Sequence, residues 1–229
     1  MTATQWRLGR KGTSLTQAQA ARALHISQPY LSQLEKGTRI APRDLARRAM
    51  DLYTLPPTVL PVRQPDPERA ILGRPDFLQN ELASLGYPGF ARVSSRSTRN
   101  PAELLFDAIT QPDLEVRLVE ALPWVVNKYP DLNWPWLRDE VKLRNLQNRL
   151  GYILHLAKET YPESGTDFGR LCSWENDLEE ARLAREGTLC RESMPQRERV
   201  WLRAHRPSAA EHWNLLTSLA PEQLSYAAK

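Results

Sequence analysis

The segment QPYLSQLEK, residues 28–36, combines amide and hydroxyl side chains with two leucines at helical spacing. If it forms a helix whose inner face carries Leu31 and Leu34, the other side chains point outward. A Gln amide can donate to and accept from adenine at once, a Ser hydroxyl can pair with several bases, and a pyrrolidine ring can contact a thymine methyl. This outer face is therefore suited to the edges of base pairs. The predicted base-reading residues are Gln28, Pro29, Tyr30, Ser32 and Gln33.

Capping residues on both sides predict how this helix is positioned. Thr16 can cap a first helix, and Ser27 can cap a second helix that ends at Gly37. The inner face of the first helix carries Ala20, Ala21 and Leu24. Only three residues join the two helices, so they must cross steeply, and the small Ala21 allows a close approach. The pattern predicts a helix-turn-helix over residues 15–37.

Cationic and amide side chains flank this motif. Lys and Arg can bind phosphate groups, and Gln17, at the start of the first helix, can add a hydrogen bond to a phosphate. The predicted phosphate-binding residues are Arg10, Lys11, Gln17, Lys36, Arg39 and Arg43. Such contacts would set affinity and register, while the outer helix face would set sequence preference.

The distribution of charge supports a division of the chain into a basic head and a near-neutral body. Residues 1–56 contain nine basic and three acidic residues, a net charge of +6, whereas the remaining residues contain 22 basic and 24 acidic groups. The segment from Pro56 to Pro67 contains five prolines, counting both ends, which favours a stiff, extended linker. We predict a DNA-binding domain over residues 1–56, a Pro-rich linker over 57–72 and a second domain over 73–229.

The N-terminal segment resembles the Cro/CI-type (XRE) helix-turn-helix family of repressors over about residues 5–55. The matching residues are Leu15, Thr16, Gln17, Ala21, Leu24, Ile26, Ser27, Leu31, Ser32, Leu34, Glu35, Gly37 and Pro42. The resemblance implies a five-helix, lambda-repressor-like domain that places its second motif helix in the major groove, with dimeric binding to an inverted repeat. His25 departs from the family, which places Gly in the turn because the turn needs a positive φ; His tolerates that region.

The second domain is predicted to be an all-α bundle, because no segment shows the alternation of a half-buried strand. We expect helices over about 74–85 and from Pro101 onward, then one long helix from Asn133 to about Tyr161 with Gly151 inside it, at either a weak point or a close helix contact. Further helices are expected over about 166–186, 195–204 and 208–217.

No catalytic, metal or cofactor site is predicted from the second domain. Cys172 and Cys190 lack the spacing of a zinc site, and the histidines lack an HExxH pattern. The aromatic segments around Trp134 and Trp213 could line a ligand or partner groove, although core packing is the favoured interpretation. Because no catalytic set is found, we expect that the protein is not an enzyme. No apolar stretch is long enough for a membrane span or an export signal, so we expect a cytoplasmic protein.

Together these patterns predict an all-α, two-domain transcriptional regulator that binds duplex DNA, more specifically a homodimeric repressor. Its C-terminal domain is expected to dimerise, to bind a partner, or both. The alternative is an antitoxin, whose C-terminal domain would neutralise a toxin while the N-terminal domain represses the shared promoter. Toxin binding leaves no fixed residue signature, so the sequence leaves both interpretations open.

Overall fold

Two structural units are present in the computed structural model, which describes residues 1–63, 75–90, 99–160 and 167–224. The N-terminal unit contains residues 1–63 together with Arg99 and Asn100. The C-terminal unit contains the other described residues. The described residues are mostly helical with very little strand, which confirms the predicted all-α class.

The N-terminal unit consists of four α-helices and a final 3₁₀ turn at Pro57–Val59. The helices are α1 (Ala3–Gly12), α2 (Gln17–Ala23), α3 (Gln28–Lys36) and α4 (Arg43–Tyr53). Their core contains Trp6 and Tyr53, whose rings meet edge to face with centroids 6.3 Å apart. The small side chains of Ala20, Ala21 and Ala49 are also fully buried there, which lets the helix backbones approach closely.

The residues after α4 remain part of the N-terminal unit. Val59 and Leu60 are buried in a cluster with Ala46 and Met50 of α4. The Asn100 amide, itself fully buried, donates to the carbonyl of Leu60 at 2.7 Å. The described part of the predicted linker, residues 57–63, is therefore packed onto the head; residues 64–72 lie outside the described residues.

The C-terminal unit contains eight α-helices among its described residues. They are α5 (Pro75–Ser84), α6 (Pro101–Thr110), α7 (Val116–Lys128), α8 (Trp134–Leu143), α9 (Gln147–Glu159), α10 (Phe168–Glu179), α11 (Gln196–His205) and α12 (Ser208–His212). Helix α9 packs against both α7 and α10. Helix α9 is therefore at the centre of this unit, in agreement with its buried Leu150, Ile153 and Leu154.

The prediction of one long helix over 133–161 is wrong, because the chain turns at Asn145. Asn145 has φ 56°, a left-handed conformation that ends α8 and that Asn adopts more readily than most residues. Leu143 has the helical spacing that would place it on one apolar stripe with Leu146 and Leu150, but it is 75% exposed. Gly151 marks a close contact: a Cβ there would lie 2.3 Å from the Trp213 ring.

Two short parallel strands were not expected from the sequence. They are β1 (Gly187–Thr188) and β2 (Leu215–Leu216), with Gly187 opposite Leu215 and Thr188 opposite Leu216. The helices predicted over 166–186 and 208–217 therefore end early, at Glu179 and His212. Strands of two residues are too short to show the alternation from which a strand is recognised.

Candidate nucleic-acid interface

The first helix of the motif, α2, begins at a reciprocal cap. The Thr16 hydroxyl accepts a hydrogen bond from the Gln19 amide at 3.2 Å, and the Gln19 side chain accepts one from the Thr16 backbone at 2.9 Å. This capping box satisfies two N–H groups that the helix itself leaves unpaired. The predicted cap at Thr16 is confirmed, and it fixes where α2 starts.

The turn between α2 and α3 has the backbone geometry expected of the motif. His25 has φ 55°, so the left-handed position predicted for it is confirmed. The Ile26 N–H donates to the Ala21 carbonyl at 3.0 Å and closes the end of α2. The Ser27 hydroxyl then accepts from the Tyr30 N–H at 3.3 Å and caps α3. Each residue of the turn thus either closes one helix or opens the next.

Helix α3 ends at Gly37, as predicted. Gly37 has φ 75°, and a Cβ at this position would lie 3.3 Å from the Cβ of Ala3 in α1. The position therefore needs glycine for its conformation and is also confined in space. Because both ends are fixed, the rotation of α3 about its own axis is determined by its neighbours.

The two faces of α3 separate as the sequence predicts. Leu31 and Leu34 are buried at 0% and 1% exposure. Gln28, Pro29 and Gln33 are exposed, whereas Tyr30 and Ser32 are half-buried at the edges of the outer face. Three of the five predicted base-reading side chains are therefore exposed to solvent, and the other two are partly exposed.

Arg10, predicted to bind phosphate, is instead paired inside the unit. Its Nε donates to Glu35 Oε1 at 2.5 Å and its Nη2 donates to Glu35 Oε2 at 3.1 Å, while Nη1 donates to the Leu15 carbonyl at 2.8 Å. The two side chains are only 13% and 5% exposed. Three of the five N–H groups of this guanidinium are therefore engaged within the unit, and the phosphate contact predicted for Arg10 stays a prediction.

Gln17 belongs to the same internal cluster. Its Nε2 donates to Glu35 Oε2 at 2.9 Å, which orients the amide toward the ion pair rather than away from the protein. Burial alone would raise the pKa of Glu35, but the hydrogen bonds from Arg10 and Gln17 outweigh it and lower that pKa below its ordinary value. Glu35 thus acts as a charged anchor that joins α1, α2 and α3.

The anchoring role of Glu35 was not recognised from the sequence, although a signal was present. Glu35 follows Leu31 and Leu34 on the inner stripe of α3, where an acidic residue needs a buried partner. The sequence alone does not identify Arg10 as that partner, because it is one of nine basic residues within residues 1–56.

The other predicted phosphate-binding residues lie at the surface. Lys11, Lys36 and Arg39 are exposed, and Arg43 is half-buried at the start of α4. The Arg39 guanidinium lies over the Tyr30 ring, 5.9 Å from its centroid, a cation–π arrangement. This contact links a predicted cation to the edge of the base-reading face.

Comparison with known proteins agrees with this geometry. Residues 4–61 match the family model described as a helix-turn-helix domain, and the C-terminal region matches none. No curated protein and no solved structure matches the chain. In the parts of the chain that the structure describes, no helix has the length and apolarity needed to cross a membrane.

The N-terminal unit is therefore a helix-turn-helix domain, and its presence marks the chain as a DNA-binding regulator. More specifically, the domain is of the Cro/CI-like (XRE) type.

Proposed function

We propose that this protein is a sequence-specific DNA-binding regulator that binds an inverted-repeat operator as a homodimer and represses transcription. The observation that carries the proposal is the outer face of α3, where Gln28, Pro29 and Gln33 are exposed on a helix held at both ends. A rigid helix with amide side chains on its solvent face suits the major groove, which is wide enough to admit one helix.

Gln28 and Gln33 are the proposed principal base-reading residues, because each amide can form a bidentate pair with adenine. Pro29 offers an apolar surface to a thymine methyl, and Ser32 and Tyr30 contribute from the edges of the face. The proposed principal phosphate contacts are Lys11, Lys36, Arg39 and Arg43, whereas the Arg10 and Gln17 side chains each donate a hydrogen bond to Glu35.

The experiment first recovers bound fragments by selection from genomic DNA of the source organism, then measures binding by gel shift. Gln28→Ala or Gln33→Ala should each weaken operator binding by about 1–3 kcal/mol and relax preference at one base pair. Unchanged binding of Gln28→Ala to operator and to random duplex would remove Gln28 from the base-reading set.

Arg39→Ala distinguishes a phosphate contact from a base contact. It should weaken operator and random duplex together and reduce the slope of log affinity against log salt by about one. Arg197→Ala is the matched control, because Arg197 is exposed on α11 in the C-terminal unit and loses the same charge. An effect of Arg39→Ala confined to the operator would contradict its assignment to phosphate.

A second candidate function is that of an antitoxin, with a protein partner bound by the C-terminal unit. Exposed apolar side chains support this candidate: Val200 and Trp201 on α11 are 57% and 53% exposed. Aromatic residues are enriched at protein interfaces. Co-expression with the product of each neighbouring gene tests this candidate. If the protein restores the growth of cells that a neighbouring gene product inhibits, and Trp201→Ala abolishes this effect, the antitoxin would be favoured over a plain repressor. In both cases we propose that the C-terminal unit binds rather than catalyses.

A further inference from the structure

A cavity of about 220 Å³ opens within the C-terminal unit, outside any surface used above for DNA. Helix α7 contributes Val116, Val119 and Glu120 to its wall, since residues three and four apart share one face of a helix. Met194 and Leu202, which belong to a buried cluster with Leu216, form an apolar part of the lining. The cavity is thus a mainly aliphatic pocket with one acidic residue, Glu120, in its lining.

The two short strands determine where this pocket lies. Its lining includes residues 189–191, which directly follow β1, and residues 217–219, which directly follow β2. Because β1 and β2 are parallel, both segments leave the sheet at the same edge. In open α/β sheets, ligands bind in the crevice outside the carboxyl ends of the parallel strands. The pocket occupies the corresponding position in this small sheet.

The volume of the pocket sets the size of a ligand. An apolar cavity of about 150 Å³ is sufficient for benzene. The 220 Å³ found here therefore accommodates a single ring or short alkyl chain with a small polar group attached. Cys190, which also lines the pocket, adds only a small apolar surface, because burial raises the pKa of its thiol to about 11 and keeps it protonated.

The charges around the pocket set the polarity of a ligand. Arg191 contributes to the lining, but its guanidinium already donates two hydrogen bonds to the Glu198 carboxylate, at 2.5 and 3.0 Å. Glu120 is half-buried, and across the described residues no hydrogen bond or ion pair engages its carboxylate. Of the two charged residues in this lining, Glu120 is therefore the one without a bonded partner among the described residues, and a cationic ligand could pair with it.

We propose that this pocket binds a small amphipathic cation, with its apolar body against Met194 and Leu202 and its ammonium group at Glu120. The site is separate from the DNA-binding surface and does not depend on the proposed regulatory function. The chemical class is an aryl or alkyl amine of about nine non-hydrogen atoms, whose size matches the cavity.

The experiment is an NMR titration of the full chain with three probes of nearly equal size. 2-Phenylethylamine carries the cation, 2-phenylethanol replaces it with a neutral hydroxyl, and phenylacetate carries an anion. We expect the amine to bind with a Kd of about 1 mM, a value consistent with so small a ligand, and the alcohol to bind about tenfold more weakly. Amide shift changes should centre on residues 189–191 and 217–219.

Two variants separate the charge from the cavity. Glu120→Gln should weaken the amine about tenfold and leave the alcohol unchanged, because only the amine uses the carboxylate. Val116→Trp, at a position 61% exposed on the pocket wall, should block both probes. Leu143→Trp is the matched control: Leu143 is 75% exposed on α8 and lies outside the pocket, so binding should be retained.

Several results would overturn the proposal. They are equal binding of all three probes, preferential binding of the carboxylate, shift changes away from the strand ends, or no binding of any probe at concentrations about tenfold above the expected Kd. None of these results would bear on the proposed DNA-binding function, because gel shifts test that function on a different unit of the chain.

Discussion

Replacing Arg10 by Met should destabilise the N-terminal unit strongly, because it leaves the Glu35 carboxylate buried without its cation. Removing one partner of a buried ion pair costs about 3–5 kcal/mol. Arg10 keeps 13% exposure, so some water can reach the vacated position, and we expect the lower end of this range, about 3 kcal/mol at neutral pH. The double variant Arg10→Met/Glu35→Leu should recover most of this loss, since an apolar pair of similar volume often replaces a buried ion pair without net cost.

The contribution of Glu35 to stability should change with pH in opposite directions in the wild type and in Arg10→Met. In the wild type the pKa of Glu35 is lowered from its ordinary 4.5, so its stabilising contribution is present above that pH and is lost as pH falls toward the folded-state pKa. In Arg10→Met, burial acts without the cation and raises that pKa, so protonation relieves the unpaired charge. The deficit of the variant should therefore shrink as the pH falls from neutrality to about 4.

Hydrogen exchange, followed by mass spectrometry on peptides from residues 1–63 of the full chain, measures the opening free energy of this unit alone. Arg7→Met is the control, because Arg7 is exposed on the same helix and its loss should change stability by no more than about 0.5 kcal/mol. If Arg10→Met behaved like Arg7→Met, or if its deficit grew on acidification, Glu35 would not be the charged anchor described above.

Two glycines give further predictions. Gly37→Ala should destabilise the N-terminal unit by about 1 kcal/mol or more, because the φ of 75° at this position is unfavourable for alanine. Hydrogen exchange of residues 1–63 measures this change. The control is Gly12→Ala, which should not destabilise the unit, because nothing lies within 4 Å of the added Cβ. Gly151→Ala should destabilise the C-terminal unit by about 1–3 kcal/mol, because the new Cβ collides with Trp213. A urea midpoint unchanged by Gly151→Ala would mean that the Trp213 ring moves aside without cost.

The helix-turn-helix could be predicted in detail because its determinants are local. Thr16 and Ser27 each bond to a backbone amide three residues ahead, and Gly37 ends the helix that it directly follows. Such short-range bonds depend on residue type and spacing alone. The solvent-facing side of α3 could then be predicted as well, because it lies opposite the face that carries Leu31 and Leu34.

The features that escaped prediction depend on residues far apart in the chain. The Arg10 and Glu35 side chains are 25 positions apart, so their charges alone fitted a DNA-facing surface equally well. The strands β1 and β2 pair although α11 and α12 lie between them in sequence, and each strand is only two residues long. The break at Asn145 overrides an apolar periodicity that continues on both sides of it, because one left-handed residue redirects the chain whatever its neighbours favour.

The parallel pairing of β1 and β2 has a consequence for how selective the pocket can be. Both chain segments at its rim emerge from paired backbone, and the Gly187 N–H is bonded to the Asn214 carbonyl at 2.9 Å. Moving these two segments apart would strain the backbone pairing of β1 and β2, so we expect the pocket to resist widening for a bulkier ligand. In a homologous series of amines, affinity should therefore fall sharply as the ligand becomes wider, but only gradually as it becomes longer.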